Sequence, residues 1–274
     1  LLALDKVLPA ECTAQALEWL LTAAVQAEND AGIKESVGSV LKVLPEMQST
    51  ALLRKVLGDA VENSKFDVAT KIIRLLGDEK ISAGCTHMVL GMKLRIVLGS
   101  GAWSQLTVAF VNCVGGLPDD ELLQTMKQTF ATLQKKSKAD LVEPLALMVI
   151  QRASGKEKSV SQAARVWVDR GMAANKKILP ERLETLLRAK VNPEQIGMLF
   201  SQYFYETIED AAVVRKLCEI GEKVLPDCKD KAINEVVKVR LLDGAFIVEN
   251  YDLAVDMLEK GIPGKDQQWH DMSI

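Results

Sequence analysis

Histidine and cysteine have the most specific chemistry among the side chains, and this sequence contains few of them. There are two histidines, His87 and His270. Cys85 and His87 stand two residues apart, but side chains at that spacing on a helix point in different directions, and no second Cys–His pair accompanies them. We therefore expect a buried thiol at Cys85 and an imidazole on the helix surface at His87, with no metal bound.

Catalytic and phosphate-binding signatures are also missing from the sequence. A Cys–His or Ser–His–Asp set would depend on the two histidines, and neither stands in a nucleophile motif. Gly99-Ser100-Gly101 lacks the third glycine of a dinucleotide site, and neither Gly155-Lys156 nor Gly264-Lys265 has the upstream glycine of a phosphate loop. The sequence predicts a protein that is not an enzyme and uses no cofactor. The open alternative is an all-α enzyme whose site is assembled from distant residues.

The cysteines indicate a reducing compartment. Their number is odd and they show no CxxC or secreted-type spacing, so buried reduced thiols in a protein of the cytoplasm or nucleus are the simplest explanation. We expect no disulfide between Cys218 and Cys228. No apolar run approaches the ~20 residues of a membrane helix, so no membrane partner is predicted. The five cysteines are Cys12, Cys85, Cys113, Cys218 and Cys228.

Apolar residues recur at three- and four-residue spacing along almost the whole chain, which is typical of amphipathic helices. Between turn signals we count about fourteen helices, near 13–17, 31–43, 49–62, 66–76 and onward to 251–261. No segment alternates with a period of two, so we predict more than ~60% helix and no sheet. With short linkers, consecutive helices should be antiparallel neighbours, one hairpin about every 40 residues.

Helix starts and stops are encoded locally. Asn192-Pro193-Glu194-Gln195 combines a cap with a helix-starting proline, and Ser159-Val160-Ser161-Gln162 has the form of a capping box. Asp119, Asp120 and Glu121 follow Pro118 and place negative charge at a helix N-terminus. Glycines are predicted to end helices at Gly77, Gly99 to Gly101, Gly115-Gly116 and Gly155.

Two segments share one pattern. Residues 61–69 read Val-Glu-Asn-Ser-Lys-Phe-Asp-Val-Ala, and residues 248–254 read Val-Glu-Asn-Tyr-Asp-Leu-Ala. Both are predicted to close a helix with Val-Glu-Asn and to open the next with an aromatic residue followed by Asp, an aliphatic residue and Ala. Ala69 and Ala254 should then be buried where paired helices touch, with Phe66 and Tyr251 covering the preceding turn.

The second copy, continuing through Val255, Met257 and Gly261 to Pro263, resembles the second half of a tetratricopeptide repeat. The first half departs from that family, because it has no Trp and has Leu242 where the usual Gly would fall. The resemblance implies a superhelix that binds peptides or proteins. The predicted fold class is therefore all-α, as a right-handed α-solenoid of about seven antiparallel hairpins of the tetratricopeptide or HEAT type.

The prediction treats residues 1–274 as one continuous helical-repeat domain. The first residue is Leu1, and Gln267 to Ile274 read as the start of another helix. We therefore expect the sequence to be a fragment of a longer chain.

Charge is distributed unevenly along the chain. Residues 1–126 have a net charge of −4, residues 127–190 of +8 and residues 191–274 of −7. Many of the central cations fall at predicted turns, which collect along one edge of a hairpin stack, so we interpret them as a partner-binding stripe. The stripe is Lys135, Lys136, Lys138, Arg152, Lys156, Lys158, Arg165, Arg170, Lys176 and Lys177.

The leading functional interpretation is a non-enzymatic scaffold or adaptor that binds another protein, with an acidic segment of that partner on the basic stripe. A helical-repeat protein associated with nucleic acid is the alternative. The overall net charge of −3 and the few aromatics near the stripe, Phe130 and Trp167, weigh against it. A simpler account is that the cations are solvated or pair with the acidic ends of the same chain.

Overall fold

The computed structural model describes residues 10–77 and 83–261. Within these residues 85% of the chain is helical and there is no strand. The prediction of an all-α protein is confirmed. Fourteen α-helices lie in the described part of the chain, in agreement with the number expected from the sequence. The chain divides into two compact units, Leu1–Ala139 and Asp140–Ile274.

The first unit contains seven helices that contact one another in a regular order. Helix α1 contacts α2 and α3, α3 contacts α4 and α5, and α5 contacts α6 and α7, while α2 also contacts α4. Buried residues of α1 to α5 form one apolar cluster. The helices are α1 (Ala10–Gln26), α2 (Asp30–Val43), α3 (Glu46–Glu62), α4 (Phe66–Gly77), α5 (Ala83–Ser100), α6 (Trp103–Gly116) and α7 (Asp119–Lys135).

The second unit repeats this order of contacts. Helix α9 contacts α10 and α11, α11 contacts α12 and α13, and α13 contacts α14, while α10 also contacts α12. Helix α8 contacts α9. The helices are α8 (Val142–Arg152), α9 (Glu157–Ala174), α10 (Leu179–Arg188), α11 (Pro193–Tyr203), α12 (Ala211–Val224), α13 (Lys231–Ile247) and α14 (Tyr251–Glu259). Single 3₁₀ turns occur at Ala139–Leu141, Lys176–Ile178, Phe204–Glu206 and Leu225–Asp227.

Odd-numbered helices begin at nearly constant intervals within each unit. In the first unit α1, α3, α5 and α7 start 36 or 37 residues apart, and in the second unit α9, α11 and α13 start 36 and 38 residues apart. Side-chain bonds between helices follow the same interval. Lys55 pairs with Glu18 across 37 residues, Lys71 with Asp30 across 41, and the Tyr205 hydroxyl donates to Asp243 across 38. Each helix pair is therefore tied mainly to the next pair along its unit.

Several helix ends follow the predicted signals. Helix α6 ends at Gly116, and Gly101 and Gly155 adopt positive φ after α5 and α8. The stop predicted at Gly77 borders residues outside the described ranges. The Asn192 side chain accepts a hydrogen bond from the Glu194 N–H at the start of α11. The predicted capping box at Ser159 is wrong, because α9 already begins at Glu157 and Ser159 is buried inside its first turn.

Five other helices end without glycine. A residue in the left-handed region follows each of them, with φ between 53° and 59°. In each case the next residue's N–H bonds a carbonyl five residues back, as Lys65 does to Ala60 at 2.8 Å. A search for glycine stops misses such ends. The five residues are Glu28, Ser64, Ser137, Lys190 and Glu249.

The repeated sequence pattern is only half repeated in the structure. Glu62 ends α3, whereas Ile247 ends α13, so Val-Glu-Asn closes a helix in the first copy and forms the turn in the second. The burial of Ala69 and Ala254 is confirmed. Phe66 packs against α5, where a Cβ on Gly99 would lie 2.5 Å from the ring. The prediction for Tyr251 is wrong, since this residue is 65% exposed and no described helix follows α14 to cover it.

Candidate partner-binding surfaces

The basic residues at the end of α7 do not have equivalent roles. Lys135 is exposed, and Lys138 is half-buried beyond the turn. Lys136 donates to the carbonyl oxygens of Leu98 and Gly99 at 2.7 and 2.8 Å, and its ammonium lies 5.9 Å from the centre of the Trp103 ring. Lys136 thus caps the C-terminus of α5, where a cation is favoured by the helix dipole.

Three further basic residues surround the turn between α8 and α9. Arg152 is the last residue of α8 and is exposed. Lys156 occupies the N-cap of α9 and is half-buried, and Lys158 is exposed in the first turn of that helix. Within the second unit these cations fall at a turn, as predicted.

The last two lysines of the stripe pair with acidic residues of their own unit. Lys176 Nζ lies 3.6 Å from Glu206 Oε2, and Lys177 Nζ lies 2.8 Å from Asp210 Oδ2. The shared hydrogen bond raises the pKa of Lys177 and lowers the pKa of Asp210. Pairing with the acidic end of the chain, the simpler account of the charge map, therefore applies to these two residues.

Arg165 and Arg170 lie along α9 rather than at a turn. Arg165 Nε is 3.9 Å from Asp169 Oδ2 one turn later, and Arg170 is half-buried. The ten predicted residues thus divide between turn positions in each unit and this helix face. A continuous stripe through all of them stays a prediction.

An open groove that the sequence did not reveal crosses the first unit. It has a volume of about 870 Å³ and is bounded by α3, α5 and α7. Its floor is a stripe of α5 with one residue per turn, namely His87, Gly91 and Arg95. One wall is formed by α7, through Glu121, Gln124, Thr125, Gln128 and Thr132, and the other by α3, through Arg54 and Val61.

The two ends of this groove differ in charge. At one end His87 Nδ1 lies 3.9 Å from Glu121 Oε1, beside Asp120. At the other, Arg95 Nη2 lies 3.5 Å from Glu62 Oε1. Arg54 is exposed and has no ion pair within residues 10–77 and 83–261. The four-residue spacing of His87, Gly91 and Arg95 was the available sequence signal, but it indicates a site only once α5 is known to lie between α3 and α7.

A smaller depression lies among α4, α5 and α6. Its volume is about 440 Å³ and its lining is largely apolar, with Ile73, Leu90 and Ile96 beside Val108, which is 64% exposed. The depression contains one charged residue, Lys93. It therefore offers apolar contact with little means of selecting a partner.

Four of the five cysteines are buried, as the sequence predicted, and the prediction is wrong for Cys12. Cys85 is buried and His87 half-buried, and no group of three potential metal ligands occurs in the described residues. Cys218 and Cys228 are free and buried, and Cys12 is the exposed thiol. Burial raises the pKa of Cys113 to about 12, so this thiol stays protonated at neutral pH. His270 and the segment Gln267 to Ile274 lie outside the described residues.

Comparisons with known proteins identify no relative. No family model and no curated protein match the chain. A solved structure described as "DHF58 filament" aligns over 92% of this chain and 96% of its own, at 16% sequence identity and a TM-score of 0.17. So low a TM-score supports no argument about fold or function. Among the helices described, none has the length and apolar character needed to cross a membrane.

Proposed function

We propose that this chain is a non-enzymatic scaffold or adaptor, built as a right-handed α-solenoid of seven antiparallel hairpins, that binds another protein. The proposal rests on one repeated sequence separation. Within each unit the odd-numbered helices start about 37 residues apart, and side-chain bonds between helices join residues about 37 positions apart. Stacked repeats that contact only their neighbours form open, extended surfaces, which suit binding of a polypeptide more than enclosure of a small substrate.

The interval between helix starts continues along the sequence from the first unit into the second. Helix α9 begins 38 residues after α7, which continues the interval seen inside each unit. Each hairpin would then consist of an odd-numbered helix and the even-numbered helix that follows it. The buried, free cysteines favour the cytoplasm or the nucleus as the location.

The basic segment remains our proposed surface for an acidic partner, in a narrower form. Lys136, Lys176 and Lys177 already hold groups of the protein. The residues that favour a partner are therefore Lys135, Lys138 and Arg152, which have no ion pair in the described part of the chain. Solvent-accessible cations raise the association rate with an acidic partner, and salt screens this attraction over about 8–10 Å.

The test is affinity purification of the full-length protein with cross-linking and mass spectrometry, comparing the parent with Lys135→Glu/Lys138→Glu. We expect a co-purifying protein whose recovery falls with added salt and in the variant. The control Lys34→Glu/Lys216→Glu makes the same change in net charge at exposed lysines elsewhere.

Salt-dependent binding of single-stranded and duplex oligonucleotides is measured in parallel. Tight oligonucleotide binding that the Lys135→Glu/Lys138→Glu variant loses would favour the nucleic-acid alternative and contradict the scaffold. Equal recovery of the partner by the parent and both variants would remove the basic segment from the proposal.

A further inference from the structure

We propose that the groove bounded by α3, α5 and α7 binds an extended peptide segment that carries an acidic residue. This inference rests on the proposed function, since it names the kind of partner and the surface that receives it. It places recognition on the face that α3, α5 and α7 share in the first unit.

The groove is deep where two helices present glycine. Gly91 lies at the middle of the floor, and a Cβ there would meet nothing within 4 Å. On α3, a Cβ on Gly58 would meet only the Arg95 guanidinium, at 3.9 Å. An interior helical glycine destabilises a helix by about 0.5–1 kcal/mol relative to alanine. Packing within the protein does not require Gly91, and the space above it belongs to the groove.

The wall on α7 suits an extended backbone. Gln124 and Gln128 are exposed and stand four residues apart, with Thr125 and Thr132 beside them. Four residues of helix rise about 6 Å, and two residues of an extended chain advance about 6.6 Å. Successive glutamine amides can therefore each donate to and accept from alternate residues of one peptide.

Charge selects an acidic residue at one end. The Arg95 guanidinium reaches α3 at Gly58, one turn beyond Arg54, so two guanidinium groups serve the same stretch of that helix. Arg54 has no ion pair among the described residues, and Arg95 holds Glu62 at 3.5 Å, a partly exposed pair that a bound carboxylate can replace. Glu121 and Asp120 at the opposite end repel a second anion.

The same charges distinguish a peptide from a nucleic acid. A phosphate backbone carries a negative charge at every residue and would meet Glu62, Asp120 and Glu121 along one groove. A peptide with one acidic side chain and neutral neighbours can place its single negative charge beside the arginines, and its neutral residues are not repelled by the carboxylates elsewhere in the groove.

The probe is a displayed library of random twelve-residue peptides, selected on the intact chain and measured afterwards by fluorescence anisotropy. The test variant is Gly91→Leu, which fills the floor of the groove with a better helix former. Its matched control is Gly38→Leu on α2, where a Cβ likewise meets nothing within 4 Å. A third variant, Arg54→Gln, removes the guanidinium that α3 contributes to the groove.

We expect the selected peptides to share an Asp or Glu. Affinity should fall at least tenfold in Gly91→Leu, about fivefold in Arg54→Gln, and not at all in Gly38→Leu, with thermal unfolding temperatures of both leucine variants no lower than that of the parent. If the selected peptides bind Gly91→Leu as tightly as the parent, the groove is not their binding site. This inference would then be wrong, and the proposed scaffold function would be unaffected. If no peptide is enriched, or oligonucleotides displace the enriched peptides, this inference fails, whereas the proposed function is decided by the co-purification experiment above.

Discussion

The two units differ in how they use helical glycine. In the second unit a Cβ on Gly171, Gly197, Gly221 or Gly244 would come within 3.0 Å of a neighbouring side chain, so glycine there permits close helix contact. In the first unit Gly99 and Gly116 are similarly close to a neighbour, but a Cβ on Gly38, Gly91 or Gly115 would meet nothing within 4 Å. The same spacing of helix starts is therefore found with closely packed helices in the second unit and with open space beside several helical glycines in the first.

Polar side chains reinforce the difference. At the end of α11, the Tyr203 hydroxyl donates to Asp169 on α9 and the Tyr205 hydroxyl donates to Asp243 on α13. Arg240 stacks 4.1 Å from the centre of the Tyr205 ring. In the first unit the corresponding odd-numbered helices are joined across the groove by the longer pairs of His87 with Glu121 and Arg95 with Glu62. These polar contacts between odd-numbered helices are therefore closer in the second unit than across the groove of the first.

The largest effect should come from Arg182 in α10. Its guanidinium donates to the Trp167 carbonyl and to Glu143, lies 4.3 Å from the centre of the Trp167 ring, and is buried. We expect Arg182→Ala to lower the free energy of unfolding by about 2–3 kcal/mol, because the packing of a buried side chain, its hydrogen bonds and its ion pair with half-buried Glu143 are lost together. Urea denaturation measures this. Arg188→Ala, at an exposed position of the same helix, should change stability by less than about 0.5 kcal/mol, and equal losses in the two variants would contradict the assignment.

The glycine comparison gives effects of opposite sign. A Cβ on Gly244 would lie 2.5 Å from Cys218 Sγ and 3.1 Å from the Phe204 ring, so we expect Gly244→Ala to destabilise the protein by about 1–3 kcal/mol through overpacking. Gly115→Ala should instead stabilise it by about 0.5–1 kcal/mol, since the new methyl group meets no neighbour. Thermal unfolding of the two variants measures both. A shift in the same direction for both would remove the distinction between the units.

A smaller effect separates two adjacent lysines of the first unit. Lys136→Met should lower stability by about 0.3–1 kcal/mol, because the ammonium that caps α5 is lost. Lys135→Met should change the unfolding midpoint very little, since Lys135 is exposed and caps no helix. The difference in midpoint between the two variants, in matched low-salt buffer, is the measurement. A destabilised Lys135→Met would show that the charge of the whole segment matters, and not the cap.

The smallest effect concerns alkaline pH in the second unit, which contains all three tyrosines. Desolvation and then the hydrogen bond to Asp243 raise the pKa of Tyr205. Its contribution to stability is therefore full below the ordinary tyrosine pKa of about 10 and declines as pH rises through the native value, because the unfolded chain ionises first. Urea midpoints at neutral and strongly alkaline pH should differ less in Tyr205→Phe than in the parent. Tyr251→Phe, at an exposed position, serves as the control, and an equal reduction there would contradict the assignment.

Local signals in the sequence were sufficient for the helices and insufficient for their contacts. Gly116 and the Asn192 cap act on neighbouring residues, so their effect can be predicted from a short window. The cap that Lys136 provides lies 37 and 38 residues away along the chain, and such a contact requires knowledge of which helices are neighbours. For the same reason the sequence alone places Lys136 in the partner-binding stripe and does not identify it as a helix cap.

The groove was missed on similar grounds. Gly91 has the same local sequence signature as any helical glycine, and its significance depends on the walls that α3 and α7 supply. The repeated Val-Glu-Asn sequence predicted the same helix end in both copies. This is wrong, because the three residues close the helix in the first copy and form the turn after it in the second. Composition and periodicity indicate where a helix lies in the sequence. Which of its residues line a groove depends on contacts with helices that are distant in the sequence.

The five helix ends that use a left-handed residue other than glycine have a mechanical consequence. An L-residue in that conformation is strained by about 1–2 kcal/mol, and the strain is held at Glu28, Ser64, Ser137, Lys190 and Glu249 by the hydrogen bonds that close each turn. If a pulling force or a docking partner opens such a turn, part of the work is returned as the residue relaxes to an ordinary backbone conformation. We therefore expect a force applied along the chain to open these turns before either adjacent helix unwinds.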